Sequence, residues 1–258
     1  MTATCEVSIG LLLPDVLGTY SDAGNATVLA QRLRWRGIAV TVHTVTARDE
    51  PPLSCEIYLL GGGEDRAQQF ATRWLRDKPK LLDALAERAV TLAVCAGMQV
   101  LGESMTDPDG REHPGVGLLD LTTSPRRTRA IGEAVVQCNL PEVGMLTGFE
   151  NHRGATALGP GLAPLGEVVT GVGNGAEHAV EGVLTEHIIG TYLHGPVLAR
   201  NPALADHILA RVTGRPLPPI ELPDLPAVRQ SYLGGSGASR RPLRRARRAA
   251  GLRSSSPS

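Results

Sequence analysis

The chain has 258 residues, enough for one sizeable domain with a buried core, and its 42% apolar content is ordinary for a soluble globular protein. Aromatics make up only 3%, so the core must be aliphatic, and no stretch approaches the roughly 20 apolar residues of a membrane span. The formal net charge is zero, but eight of the 26 basic residues are arginines from position 227 onward, where no acidic residue occurs, which leaves a body at about −8 with a basic tail.

Strands and helices alternate through the first half. Residues 7–13 form a continuous apolar run, as a strand buried on both faces requires, and no basic region precedes it to suggest a signal peptide. Helical spacing follows at 25–36, then a β-branched strand at 38–45 and a short apolar strand at 56–60 that runs into Gly61-Gly62-Gly63. Helices are expected at 65–76 and 80–88, and a buried strand at 91–94 stops at Cys95, after which another helix starts. This order predicts an α/β fold with a mostly parallel central sheet and helices on both faces.

The second half reads as antiparallel. Strands are expected at 116–121, 130–137, 147–150, 180–184 and 187–192, separated by Gly- and Pro-rich turns. Residues 202–212 close the domain as a helix, with Asn201 as its cap and Pro202 in its first turn. The domain is taken as 1–214. Residues 215–258 are a Pro-rich, then Arg/Ser-rich tail, read as disordered from about 225. An arginine-rich segment of this kind suits anionic lipid or nucleic acid, but a solvated extension is the simpler reading and no nucleic-acid partner is expected.

Three motifs carry chemistry. In T-L-A-V-C-A-G-M-Q-V-L-G a buried strand delivers Cys95 into a tight turn before a helix, the layout of a nucleophile elbow. The turn projects the thiol at the carboxyl end of the sheet, where open α/β sheets bind ligands. Small Ala96 and Gly97 would let a carbonyl approach, and the helix N-terminus favours the thiolate and offers N–H donors to an oxyanion. The second motif is L-L-G-G-G-E-D-R-A-Q, where Gly62 and Gly63 can supply a further oxyanion donor beside Ala96; without G-K-[ST] it is no Walker-type ATP site. The third is H-I-I-G-T-Y-L-H-G-P, where His194 ends an apolar strand. Cysteine chemistry needs a nearby imidazole, which makes His194 the expected base. An orienting acid two residues after His194 is unavailable, since Pro196 stands there, so the pair reads as a dyad unless an acid arrives from elsewhere.

Other candidates have bland alternatives. Gln99 lies one helical turn past Cys95 and either lines a pocket or packs, and Asn151 and His152 either approach the site or shape a turn. His113, His178, His187 and His207 show no metal-ligand spacing, and no metal is expected. Cys5, Cys55 and Cys138 sit on or beside strands as core residues without C-x-x-C pairing, which points to a reducing, cytoplasmic setting.

Taken together, these stretches resemble a class I glutamine amidotransferase domain of the cobyric-acid-synthase-like group. Within that group they are most similar to the glutaminase subunits of lipid II isoglutaminyl synthases. The likeness covers nearly all of residues 7–213, through L-L-P-D-V-L-G-T-Y-S-D-A-G-N-A, G-G-G-E-D-R-A-Q, V-C-A-G-M-Q-V-L-G, G-F-E-N-H-R-G and G-T-Y-L-H-G-P-V-L-A-R-N-P. The resemblance implies Cys95 as nucleophile, His194 as base, and Arg129 as the arginine that holds the α-carboxylate of glutamine, with Arg126 and Arg127 close by. It implies no cofactor in this chain and a heterodimer with a Mur-ligase-like synthetase subunit. That partner would use ATP and magnesium to activate the D-glutamate of lipid II. Two features depart from the family: Tyr20-Ser21-Asp22 stands where Tyr-Gly-Asp is expected, and the Arg-rich extension is atypical. A glutaminase subunit for another acceptor, and a non-catalytic domain on the same fold, are the competing readings.

Overall fold

The structure, a computed structural model, describes residues 6–18, 22–176 and 178–235. Its elements in chain order are β1 (Glu6–Leu12), α1 (Gly24–Arg34), β2 (Ala39–Val45), β3 (Ile57–Leu60), α2 (Asp65–Arg76), α3 (Pro79–Glu87), β4 (Val90–Val94) and α4 (Ala96–Leu101). There follow β5 (Ser104–Thr106), β6 (Glu112–Pro114), β7 (Leu121–Cys138), β8 (Met145–Leu158), β9 (Gly166–Thr170), β10 (Val180–Glu181), β11 (Val183–Leu184) and β12 (Ile188–Thr191). The helices α5 (Val197–Arg200), α6 (Pro202–Thr213) and α7 (Leu225–Gly235) complete the described part.

The apolar runs become a six-stranded sheet of order β11-β12-β4-β3-β1-β2, parallel throughout except for the antiparallel edge strand β11. Every residue of β3, β4 and β12 is buried, as expected of strands covered on both faces. The second sheet, β10-β9-β7-β5-β6 with β8 on the other side of β7, is antiparallel apart from the short β5–β7 pairing. The parallel first half and antiparallel second half therefore form as the sequence predicts. Two backbone hydrogen bonds join the sheets where Phe149 pairs with His194 (3.2 and 3.0 Å).

Four details differ from the sequence reading. Residues 116–120 form no strand, and of the expected stretch only Leu121 enters one, as the first residue of β7. Their apolar side chains go inward, but the N–H groups of Val116, Gly117, Leu118 and Leu119 bond to carbonyls of Val100, Gly102 and Leu101 and so close the end of α4. The run at 180–184 splits at Gly182, whose φ of 66° turns the chain from the second sheet (β10) into the first (β11). Asn201 is the N-cap residue of α6, but its side chain makes no cap hydrogen bond. Its amide instead clamps Thr147 of β8, accepting from the N–H (2.9 Å) and donating to the carbonyl (2.7 Å). Finally, residues 225–235 are helical rather than disordered, and Arg229 ties α7 to the carbonyls of Arg200 and Met145. Residues 236–258, and Cys5, lie outside the described residues. Among the described residues no helix is long and apolar enough to cross a membrane.

Candidate active site

The sheet order decides where the chemistry sits. Strands β12, β4, β3 and β1 are consecutive neighbours, and the segments leaving their carboxyl ends carry His194, Cys95, Gly61–Gly63 and Asp22. Cys95 turns directly from β4 into α4 with φ 51° and ψ −107°, a conformation that side-chain-bearing residues rarely adopt. Strain of this kind costs on the order of 1–3 kcal/mol and persists only where the surroundings hold it. Here the Cys95 N–H donates to Thr191 O (2.7 Å), the Gly97 N–H to Gly61 O (3.1 Å), and the Gln99 N–H to Cys95 O (3.1 Å). Gly97 serves packing rather than substrate access, because a Cβ there would lie 2.8 Å from both Cβ and O of Leu60.

The acid that sequence reasoning sought beside His194 comes from 172 residues away. Both carboxylate oxygens of Asp22 lie 3.1–3.2 Å from His194 Nδ1, and both side chains are almost fully buried. Cys95 stands beside the same imidazole and acts on it electrostatically. The arrangement is thus a Cys–His–Asp triad rather than a dyad. Burial by itself would drive the His194 proton off, but hydrogen bonds and charge from Asp22 and Cys95 outweigh it and lift the imidazole to about 9. Upstream, buried Glu181 accepts from Thr191 Oγ1 (2.9 Å) and from the Tyr192 N–H (2.6 Å), pinning the strand end that leads to His194. Burial pushes Glu181 up to about 7.

The glycine loop has a narrower role than expected. The Gly62 N–H donates to Asp22 Oδ2 (2.9 Å), so it holds the acid and is not available to an oxyanion. Gly63 faces the Cys95 pocket, and the Ala96 N–H occupies the first helical position, where no intrahelical acceptor exists. A Cβ on Gly62 would sit 3.0 Å from His194 Cε1, 3.2 Å from Asp22 Oδ2 and 3.6 Å from Cys95 Cβ. Gly62→Ala should therefore displace the imidazole and lower kcat by roughly 10-fold or more, while the melting temperature moves only a few degrees. Steady-state kinetics beside a thermal melt would check this, and wild-type kcat in the variant would refute it.

A cavity of about 280 Å³ opens over Cys95, near the lower end of small-ligand sites (roughly 300–1,000 Å³) and suited to a single amino acid. A larger hollow of about 590 Å³ beside Cys55, Glu56 and Arg88 lies at the amino ends of the strands, away from every motif. Gln99, Arg129, Asn151 and His152 all line the Cys95 cavity, whereas Arg126 and Arg127 do not. Arg129 gets there because the β7–β8 register breaks between Pro125 and Ala130, a bulge that re-aims the side chain. Its Nε donates to Asn151 Oδ1 (2.6 Å), and Glu64 lies 3.9 Å from its Nη2.

Gln99 both lines the cavity and packs. It accepts from Gln68 (2.7 Å) and donates to Tyr192 Oη (2.8 Å), which continues through Thr156 (2.6 Å) to Thr123 (2.8 Å) as a buried polar chain. Elsewhere, His113 pairs with Asp107, His207 with Glu142, and His187 with the Ala89 carbonyl. His178 is exposed. Cys55 and Cys138 are buried free thiols.

A nucleophile elbow on a parallel sheet, a buried His–Asp pair beside it and an amino-acid-sized cavity can together cleave a carboxamide through a thioester. Residues 8–202 match the CobB/CobQ-like glutamine amidotransferase domain. The chain belongs to this family. It is accordingly an enzyme of the glutamine amidotransferase class. The family member in Staphylococcus aureus called lipid II isoglutaminyl synthase (glutamine-hydrolyzing) subunit GatD is 37% identical over 218 residues, covering 84% of this chain and 88% of the relative. The protein of the same name in Streptococcus pneumoniae is 34% identical, covering 78% of each. A cobyric acid synthase from Parasynechococcus marenigrum is 33% identical over 64% of this chain but only 32% of the relative. Among solved structures, a glutamine amidotransferase superposes with a TM-score of 0.53 at 16% identity over 80% of this chain and 98% of that one, which shows the shared fold.

Proposed function

We propose that this chain is the glutamine-hydrolysing subunit of an enzyme that amidates lipid II. The observation that carries the hydrolytic part is the row of Cys95, His194 and Asp22 over one amino-acid-sized cavity. In this reading Arg129 pairs with the α-carboxylate of glutamine. The Cys95 thiolate attacks the side-chain carboxamide carbon, and the oxyanion is met by the N–H groups of Ala96 and Gly63. His194 passes its proton to the departing nitrogen, ammonia leaves, and a thioester remains. His194 then takes a proton from water, the hydroxide adds to the thioester, and glutamate departs as the thiol is restored.

Ammonia released into bulk water would protonate and lose its nucleophilicity, so the reading includes direct delivery to a second subunit. That partner would be a Mur-ligase-like synthetase, binding ATP and magnesium itself, that activates the D-glutamate carboxylate of the lipid II stem peptide for conversion to D-isoglutamine in the cytoplasm. The length of likeness to the two relatives named for lipid II supports this acceptor. The match to the cobyric acid synthase relative takes in only about a third of that protein.

The test combines this chain with a Mur-ligase-like subunit, glutamine, ATP, magnesium and lipid II. Glutamate release coupled to a carboxylate-to-amide mass change on the stem peptide is the expected result. Glutamate release without amidation of lipid II would redirect the chain to another acceptor. No glutamate release with or without the partner would remove the hydrolytic assignment.

A further inference from the structure

We propose that His152 accepts a hydrogen bond on Nε2 from the α-ammonium group of glutamine and so selects an amino acid over a simple carboxamide. This rests on the glutaminase reading of the Cys95 cavity. His152 is 3% exposed and lines that cavity. Its orientation is set from two sides. The ring stacks on Tyr192 with centroids 3.8 Å apart, and Nδ1 lies 3.1 Å from the Gly154 carbonyl. A carbonyl can only accept, so Nδ1 carries the proton and Nε2 presents a lone pair. That Nε2 is buried and has no hydrogen-bond partner among the described residues. A buried polar atom left without a partner is costly, and such orphans mark places where a ligand completes the network.

The charge around the ring fits this role. Burial, with the positive charges of Arg126, His194 and Arg129 nearby, holds His152 down at about 4, so it is neutral through the physiological range and cannot repel an ammonium. Three other acceptors of the cavity each already receive a hydrogen bond. Gln99 Oε1 receives Gln68, Asn151 Oδ1 receives Arg129, and the Gly154 carbonyl receives His152 itself. Glu64 and Asp65 are exposed at the rim. Arg129 and His152 therefore form a divided recognition site, a cation for the α-carboxylate and a neutral acceptor for the α-ammonium.

The experiment compares hydrolysis of L-glutamine with that of glutaramate, which lacks only the α-amino group, in the chain assayed with its partner. Wild type should prefer glutamine. His152→Asn keeps a donor toward the Gly154 carbonyl but has no atom at the Nε2 position, and should lose roughly 10–100-fold of that preference, mostly through KM for glutamine. His152→Gln extends an amide to the Nε2 position and should recover part of it, which separates lost recognition from a disturbed stack on Tyr192. An equal loss toward both substrates in His152→Asn, with no recovery in His152→Gln, would overturn the proposal. So would a wild-type enzyme that hydrolyses both substrates equally well, a result needing no variant. Absence of glutamate release by wild type would remove the glutaminase reading and this inference with it, and is distinguishable from either.

Discussion

Cys95→Ala is expected to lower glutamate release by roughly 10³-fold or more while leaving the fold intact. Alanine retains the Cβ, so the strained elbow at φ 51° meets no new clash, and the bonds from the N–H groups of Cys95, Gly97 and Gln99 remain available. Only the sulfur is lost. If Cys95 were simply a core cysteine, the same change would cost about 1 kcal/mol of stability from lost packing and leave turnover untouched. The two outcomes are therefore separated by measuring glutamate release and a melting curve on one sample. An electrophilic glutamine analogue gives a second readout, since it should add covalently to wild type and leave the variant's mass unchanged. Persisting turnover would place the nucleophile elsewhere.

Much of this site is legible in the sequence. A run such as V-T-L-A-V that is buried on both faces can only be an internal strand, and the small residues after Cys95 announce a tight turn into a helix. His194 was legible for the same reason, as the end of another buried strand. Asp22 was not. No local pattern links it to a histidine 172 residues later. What joins them is the order in which β1, β3, β4 and β12 lie side by side, a property of topology that periodicity does not encode. The misassigned role of Gly62 follows from the same gap, because its N–H is claimed by a carboxylate the sequence did not place there. The expected strand at 116–121 failed differently. Its apolar pattern was real, as the burial of Leu119 and Leu121 shows, but pattern reports where side chains go and not where N–H groups find acceptors. Bulges are equally silent in sequence, so the register break that turns Arg129 toward the cavity could not select it over Arg126 and Arg127.

Asp22→Asn should lower kcat/KM near neutral pH by roughly 10²-fold or more and move the alkaline limb of the pH profile downward. Two effects act together. An asparagine can still accept the Gly62 N–H through its oxygen, so the glycine loop keeps its anchor. Its NH₂ group, turned to the imidazole, would favour a proton on Nε2 instead of Nδ1, the wrong tautomer for a base facing Cys95. Loss of the carboxylate charge also leaves burial less opposed, so the imidazolium should give up its proton well below the wild-type value of about 9. The departing ammonia needs that proton. Wild-type activity should then decline only as pH rises through about 9, and the variant's decline should begin nearer neutrality. Stability offers an independent check. A histidine whose folded pKa lies above its unfolded value of about 6.5 contributes stability that is fully present below that value and is lost as pH rises toward 9. Wild type should lose stability across this alkaline window, and Asp22→Asn should lose less of it. A variant that is slow yet keeps both the wild-type alkaline limb and the wild-type stability slope would show that Asp22 merely supports the loop. A shifted limb with a flattened slope would place it in the triad with His194 and Cys95.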